Sequence, residues 1–159
     1  MPSPFGKEHD MKVMQMALKQ AQKALRKNEV PIGAVVVDEQ GKILAQGYNM
    51  VESKSTQAAH AEVKALAKAG KIVGNWRLEG CWVYVTVQPC GMCMALIQLS
   101  RCAGVLYGAN SPLFGYHLVD NDMRHSLYKK DIMHIESGVA AQKAAELMKE
   151  FFKSKREKQ

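Results

Sequence analysis

Residues 81–107, CWVYVTVQPCGMCMALIQLSRCAGVLY, contain the pattern that decides the fold. The first part, 81–87, is rich in Val, Trp, Tyr and Thr, and it predicts a buried strand. Pro89 and Gly91 interrupt this run. The segment 91–99 then predicts a helix, and 103–107 predicts the next strand. Strands that alternate with helices are typical of layered α/β proteins, so we expect an α/β fold with a mixed sheet.

The residues before this unit predict a long helix and a β-hairpin. Apolar side chains recur at steps of three and four within 9–27, which is the spacing of an amphipathic helix. The β-branched run 32–37 and the segment 42–48 flank a turn at 38–41, so they predict paired strands. The polar stretch 52–57 predicts a loop.

The remaining segments predict two further helices and a short strand. A helix is expected over 59–68, with Gly70 as its stop. The stretch 110–130 has weak periodicity, 132–135 predicts a short strand, and 139–155 predicts the last helix. Both metal-binding motifs described below therefore fall where a strand or loop passes into a helix.

Length and charge limit the possible classes of protein. A chain of 159 residues suits one compact domain, 1–159, whose C-terminal helix packs on it and leads into a basic tail. Twenty-two Lys and Arg against 15 Asp and Glu give a net charge of +7, which suits a polyanionic partner such as nucleic acid. Five of these cations lie near the C-terminus: Lys149, Lys153, Lys155, Arg156 and Lys158.

No segment has the composition of a membrane span or a secretory signal. The longest apolar stretch, 92–106, is interrupted by polar side chains, and the N-terminal residues lack an apolar signal region. We therefore expect no membrane association and a cytoplasmic location, where thiols serve as ligands or core residues more often than as disulfides.

Cys90 and Cys93 form a Pro-Cys-x-x-Cys motif at the start of the predicted helix. One helical turn separates the two thiols, so both can face the same side. The positive end of a helix lowers thiol pKa values and favours thiolates. Taken alone, the motif is as typical of the alternatives, a redox dithiol, a structural zinc site or two core thiols, as it is of a catalytic site.

His60 and Glu62 form a His-x-Glu triplet at the start of another predicted helix. Alone, such a histidine is more often a helix cap than a ligand. Together with Pro-Cys-x-x-Cys, however, the triplet matches the signature of zinc-dependent nucleobase deaminases. His60, Cys90 and Cys93 then supply three zinc ligands, and the fourth position stays open for water, as in catalytic sites. Glu62 is the predicted proton donor and acceptor.

Cys81 and Cys102 offer an alternative use of the cysteines. With Cys90 and Cys93 they could form a four-cysteine structural site, but the chain has no second Cys-x-x-Cys motif. We expect Cys81 and Cys102 to be buried, inert thiols.

The chain resembles the bacterial tRNA-specific adenosine deaminases of the cytidine-deaminase superfamily. The resemblance covers the chain from the first helix to about Ala109 and resumes in the C-terminal helix. The segments that carry it, besides the two metal motifs, are VPIGAVVV (30–37), GYN (47–49), GNWRL (74–78), VTVQPCGMC (85–93), SR (100–101) and YGA (107–109).

This resemblance implies a zinc-dependent hydrolase that converts the wobble-position adenosine of a tRNA anticodon to inosine. It also implies a three-layer α/β/α fold with a five-stranded sheet, a homodimer, one Zn²⁺ per subunit and binding of the anticodon stem-loop. Asn49 matches an asparagine that hydrogen-bonds the target nucleoside, although a turn residue after a strand would look the same. Phe152 and Lys155 match an aromatic and basic element that contacts the anticodon loop, and Phe151 is expected in the core.

The chain also departs from this family pattern. Gln88 replaces the usual Glu before Pro-Cys, and Asn110-Ser111-Pro112-Leu113 replaces a more polar stretch that touches flanking nucleotides in relatives. Two other functions therefore remain open. One is deamination of a free base or nucleoside (guanine, cytosine or cytidine) by the same zinc chemistry, and the other is a non-catalytic, zinc-stabilised module for RNA binding or dimerisation.

Overall fold

The fold is built on one mixed five-stranded sheet, seen in a computed structural model that describes residues 3–116 and 134–159. The strand order is β2-β1-β3-β4-β5; β1 pairs antiparallel with β2 and β3, whereas β3, β4 and β5 run parallel. This confirms the predicted α/β class and the mixed sheet. The strands are β1 (Gly33–Val37), β2 (Ile43–Tyr48), β3 (Trp82–Val87), β4 (Gly104–Ala109) and β5 (His134–Glu136).

Most predicted elements lie within a few residues of the observed ones. The hairpin is confirmed, since β1 and β2 pair directly around a turn in which Gly41 adopts a left-handed φ of 81°. The predicted strand 132–135 lies partly outside the described residues, as does most of 110–130. The helices are α1 (Lys7–Arg26), α2 (Val51–Lys54), α3 (Ala61–Val73), α4 (Gly91–Leu99) and α5 (Ala141–Glu157).

Helices α1 and α5 cover one face of the sheet. Val13, Met14 and Ala17 of α1 are fully buried against side chains of β1, β3 and β4. Ala144 of α5 packs with Leu18 of α1 beside β4. This packing follows from the predicted apolar stripe of the first helix, and the buried carboxylate of Asp10 on the same helix accepts hydrogen bonds from Ser3 and Tyr84.

Helices α3 and α4 cover the other face and complete the three layers. Ala61, Ala65 and Ala69 of α3 are buried on β1 and β2, and Ile97 of α4 is buried on β3 and β4. A Cβ atom on Gly47 of β2 would lie 2.7 Å from the carbonyl oxygen of α3 at Ala61. The absence of that atom lets α3 lie directly on the strand, which fixes the helix start that carries the His-x-Glu motif.

Two local predictions were wrong. Gly70 does not stop the helix: α3 continues to Val73, and the Gly70 carbonyl accepts the backbone N–H groups of Gly74 and Asn75 at 2.8 and 3.1 Å. Gly74, with φ 74°, is the actual left-handed stop.

The polar stretch 52–57 is not a plain loop. It contains the end of α2 and the start of a 3₁₀ turn, Gln57–Ala59. The buried carboxylate of Glu29 accepts the backbone N–H groups of Glu52 and Ser53 at 2.8 and 2.9 Å. These amides lie in the first turn of α2, so an acid distant in sequence supplies the acceptor that this short helix lacks locally. Within 3–116 and 134–159, no helix is both long and apolar enough to cross a membrane.

Candidate metal centre

The two predicted metal motifs lie at the first residues of α3 and α4. His60 is the N-cap of α3 and Cys90 is the N-cap of α4, and both have extended backbone angles. Cys93 lies in the first turn of α4 and is buried. Two helix N-termini therefore converge here, and their unpaired amides favour negatively charged ligands.

Three donor atoms come together as a group able to hold a metal ion. The Nδ1 atom of His60 lies 3.5 Å from the Sγ atom of Cys93 and 3.7 Å from the Sγ atom of Cys90. All three donor atoms lie within 4.8 Å of one another. Tetrahedral zinc, with Zn–S near 2.3 Å and Zn–N near 2.0 Å, separates sulfur from nitrogen by about 3.6 Å. One imidazole and two thiols thus fit zinc in both distance and ligand type.

Gln57 orients the imidazole of His60. Its Oε1 atom lies 2.9 Å from Nε2 of His60, so that ring nitrogen donates its hydrogen to the amide oxygen. In the neutral ring, Nδ1 then has the lone pair that a metal ion would need, on the side of the two sulfur atoms. Partners of this kind fix the tautomer and orientation of metal-binding histidines. Gln57 was not predicted, since no motif includes a polar residue three positions before the histidine.

The two thiols differ strongly in acidity in the metal-free protein. Hydrogen bonds from Cys93, and next from His60, lower the pKa of Cys90 to about 4. The hydrogen bond to Cys90, followed by burial, raises the pKa of Cys93. The same contact with Cys90 raises the pKa of His60. The Cys90 thiolate is therefore held by protons on Cys93 and His60, and a bound cation would displace them.

Glu62 points into the same site although it is two residues from His60. Within a helix, such a spacing would turn the side chains about 200° apart. His60 is not yet helical, with φ −63° and ψ 149°, and this extended residue lets both side chains face one pocket. Glu62 is only 3% exposed, and its burial raises the pKa of its carboxyl. A buried carboxyl that holds its proton more tightly is suited to proton transfer near neutral pH.

A cavity of about 430 Å³ opens beside these residues. Its volume is within the range of sites for small ligands. The predicted residues Asn49 and Phe152 line it, together with Glu29, Val30, Ile32, Val51, Glu52, Gln57, His60, Ala61, Glu62, Val87, Gln88, Cys90, Ser111, Phe114 and Met148.

Asn49 is buried in the wall of this cavity. Its Nδ2 atom donates to the Val30 carbonyl at 3.2 Å, and its Oδ1 atom accepts the N–H of Val51 at 3.3 Å. Glu29, which sequence reasoning missed, holds the α2 backbone directly after Asn49. An isolated acid between Asn28 and Val30 gives no pattern by which it could have been found.

The aromatic pair of α5 is divided between the core and the cavity. Phe151 is buried, as predicted, whereas Phe152 is 45% exposed and lines the cavity. Lys155 does not line the cavity. It is half-buried, with its Nζ atom 5.4 Å from the centre of the Phe151 ring, and it interacts electrostatically with Glu29.

Gln88 fixes the turn formed by residues 111–116. Its Oε1 atom accepts the N–H of Ser111 at 3.0 Å, and its Nε2 atom donates to the Tyr116 carbonyl at 2.8 Å. A glutamate could accept the first bond but, when ionised, could not donate the second. Glutamine at position 88, in place of the family's usual glutamate, therefore suits the hydrogen bonds that this turn requires.

Cys81 and Cys102 lie apart from the metal group. Both are buried and free, and burial raises the pKa of each thiol, to about 12 for Cys102. Among the residues that the structure describes, a four-cysteine cluster is not formed.

A mixed sheet with a His-Cys-Cys group and a buried glutamate defines a zinc-dependent hydrolytic deaminase. Comparison with known proteins agrees, because residues 7–109 match the family model of the cytidine and deoxycytidylate deaminase zinc-binding region. The chain belongs to this family, and within it to the tRNA-specific adenosine deaminases.

Individual relatives show how far the similarity extends. The tRNA-specific adenosine deaminase of Rickettsia bellii is 42% identical over 91% of this chain and 100% of its own. The tRNA-specific adenosine deaminase of Streptococcus pyogenes serotype M18 is 37% identical over 98% of this chain and 97% of its own. A solved structure from a study of A-to-I editing by tRNA:A34 deaminases has a TM-score of 0.76 and 34% identity, covering 86% of this chain and 98% of that one.

Proposed function

We propose that this chain hydrolyses the amino group of adenosine 34, at the wobble position of a tRNA anticodon, to give inosine and ammonia. The observation that carries the proposal is the meeting of His60, Cys90 and Cys93 beside buried Glu62, in a cavity large enough for a nucleoside. The choice of tRNA is supported by relatives of 37 to 42% identity whose lengths match nearly the whole chain.

His60, Cys90 and Cys93 would hold one zinc ion per subunit. When bound there, zinc makes a water molecule acidic enough to attack at neutral pH. Glu62 accepts a proton from the attacking water and passes it to the ring nitrogen next to the carbon under attack. It then takes the second proton, from the hydroxyl group that has added to that carbon, and delivers it to the amino group as the C–N bond breaks and ammonia leaves. Gln57 keeps His60 in the ligating tautomer throughout.

The surroundings of the cavity suit a nucleoside within RNA. Asn49 offers an amide in the wall, where small movements of its hydrogen bonds to Val30 and Val51 would allow it to bind the target nucleoside. Phe152 presents an exposed ring beside the cavity for stacking on a base, and Lys155 places a cation on the same helix for phosphate. The net charge of +7 favours a polyanion in general.

A homodimer in the cytoplasm completes the proposal. Apolar side chains are exposed together at the end of α3 and in the segment that follows, with Ile72 at 63% and Trp76 at 56%. Part of this surface lines a second cavity between α3 and α4, a shape that a second copy can fill. A cytoplasmic location agrees with four free cysteines and with a tRNA substrate.

The direct test is an incubation of the purified zinc protein with total tRNA, followed by detection of inosine at nucleotide 34. A synthetic anticodon stem-loop with adenosine at that position, and free adenosine, guanine, cytosine and cytidine, are assayed in parallel for ammonia. We expect the stem-loop to react far faster than any free compound. Rapid deamination of guanine or cytosine with an unreactive stem-loop would assign the site to small substrates instead.

The dimer is tested separately by sedimentation. Ile72→Glu places a charge in the exposed apolar surface, and it should shift the protein toward monomer. Glu79→Gln, a surface change nearby in the sequence, serves as the control and should leave the mass unchanged. An unaltered mass for Ile72→Glu would place the dimer contact elsewhere.

A further inference from the structure

The turn 111–116 presents a large aromatic ring to solvent beside the candidate metal centre. Phe114 lines the same cavity as His60 and Cys90, yet it is 77% exposed. Its neighbour Leu113 is 86% exposed and does not line the cavity. Packing against the described residues does not account for a ring held in this position, which points to a binding role.

The backbone of this turn is held firmly although its side chains are exposed. Gln88 binds both ends, through the N–H of Ser111 and the carbonyl of Tyr116. The N–H of Tyr116 donates to the Pro89 carbonyl at 2.7 Å, and the N–H of Gly115 donates to the Ser111 carbonyl at 2.8 Å. Phe114 is therefore attached to a fixed support, and ordering its ring on binding costs little conformational entropy.

Close packing explains why a glycine follows the phenylalanine. A Cβ atom on Gly115 would collide with the Oε1 atom of Gln88 and lie 2.5 Å from the Ser111 carbonyl oxygen. Gly115 also forms an antiparallel bridge with Cys90. The turn is thus joined to Cys90, the predicted metal ligand at the start of α4, and this bridge fixes the distance between the Phe114 ring and the reaction centre.

The chemistry of the turn favours a base over a phosphate. Residues 110–116, NSPLFGY, contain no charged side chain, and the described residues that line the cavity include no Lys or Arg, so this turn does not supply the cations that phosphate requires. A phenyl ring instead offers an apolar face on which any base can stack. In a single-stranded loop, the bases next to a target drawn into a cavity are unstacked and available.

We propose that Phe114 is a specificity-determining residue, whose ring, held by the Gln88-bound turn, stacks on a base that flanks the target nucleoside of single-stranded RNA. This inference rests on the proposed function, because it requires the target to lie in an RNA loop. Stacking strength increases with ring size, so a purine at the stacked position should be favoured over a pyrimidine.

The test is a cycle that combines a protein variant with a missing base. Wild type and Phe114→Ala are assayed on an anticodon stem-loop, and on two copies in which an abasic residue replaces the 5′ or the 3′ neighbour of the target. On the intact loop, Phe114→Ala should raise KM roughly tenfold, within the roughly 5- to 150-fold that one stacked base contributes, while kcat stays within about twofold.

At one of the two flanking positions, the effects of the abasic residue and of Phe114→Ala on KM should not add. There, the missing base should raise KM for wild type by the same factor and leave KM for Phe114→Ala nearly unchanged. Phe114→Trp keeps a flat ring and should restore the wild-type KM. Leu113→Ala is the matched control, since it removes an equally exposed apolar side chain outside the cavity.

Three results would overturn the assignment. The first is an unchanged KM for Phe114→Ala. The second is that the effects of Phe114→Ala and of the abasic residue on KM add at both flanking positions. The third is a change in sedimentation mass of Phe114→Ala together with its higher KM, which would mark the ring as a contact between protein subunits. If wild type itself leaves the stem-loop unreacted, the proposed function fails rather than the stacking role alone. Zinc content measured for every variant excludes a loss caused by an incomplete site.

Discussion

Replacing Glu62 by glutamine should separate the chemistry of the site from its structure. The amide has the same shape as the carboxyl but cannot accept and return a proton. General acid–base catalysis contributes roughly 10²- to 10⁴-fold for each transfer, and Glu62 serves at least two. We therefore expect kcat to fall by at least about 10⁴-fold, which corresponds to about 5.5 kcal/mol at 1.36 kcal/mol per tenfold.

The same change should not harm the fold. Glu62 is 3% exposed, and burial raises the pKa of its carboxyl above the usual 4.5, so ionisation is disfavoured in the folded state. Between pH 4.5 and that raised pKa, the folded chain holds a proton that the unfolded chain has lost, so this group makes stability decrease as pH rises. In the metal-free protein, Glu62→Gln should match wild type near pH 4 and melt at a higher temperature toward neutral pH.

Three measurements on one preparation decide the matter: ammonia release from the stem-loop, zinc per chain by elemental analysis, and Tm as a function of pH. Glu79→Gln, an exposed glutamate outside the site, is the control and should behave as wild type in all three. Turnover within tenfold of wild type, with zinc retained, would refute the proton-transfer role. Loss of zinc in step with activity would show that Glu62 acts on the metal site itself.

Further predictions concern the residues that support the metal group. Gln57→Ala removes the acceptor that orients the ligand histidine, and it should weaken zinc binding roughly 10- to 100-fold in competition with a chelator. Gly47→Ala places a Cβ atom against α3, and it should lower the free energy of unfolding by about 1–3 kcal/mol in denaturant titrations. Gly70→Ala lies inside α3, where there is room for the methyl group, and it should raise the free energy of unfolding by up to about 1 kcal/mol. In metal-free protein at pH 6, iodoacetamide should alkylate Cys90 much faster than Cys81, because the pKa of Cys90 is about 4 whereas burial raises the pKa of Cys81. Added zinc should protect Cys90 from the reagent. Equal alkylation rates of the two thiols by mass spectrometry would contradict this prediction.

The choice of base in zinc deaminases is set by the shape of the pocket and by contacts to flanking nucleotides, so the proposed metal group does not select the base by itself. In this chain the features that could distinguish RNA from a free base lie around the cavity, in Phe114, Phe152 and the basic α5 helix.

The prediction of local structure succeeded where a pattern was complete within a few residues. The hairpin around Gly41 and the helix that begins at Gly91 needed only turn residues and apolar periodicity. It failed at Gly70 because Gly74, four residues later, adopts the left-handed conformation that ends α3, and it failed in 52–57 because a residue distant in sequence decided the local structure. Hydrogen bonds from Gly74 and Asn75 satisfy the Gly70 carbonyl beyond the predicted end, and the carboxylate of Glu29 holds α2.

The ligand chemistry could be predicted from the residues alone. The residue types and spacing of His60, Glu62, Cys90 and Cys93 indicate zinc and a proton carrier, because few other side chains can supply those atoms. How these atoms meet depends on the packing of helices on the sheet. Strand β2 holds α3 close through Gly47, and this places a histidine and two thiols from different helices within 4.8 Å.

The supporting residues also became visible only in three dimensions. Gln57, Glu29 and Gln88 each act through one or more hydrogen bonds that depend on direction and distance, and a polar residue without a motif looks the same in sequence whether or not it makes them. The same holds for Phe114, whose position beside the metal group is set by the turn that Gln88 binds. Chemistry follows from which atoms a chain contains, whereas selection of a substrate follows from where the fold holds them.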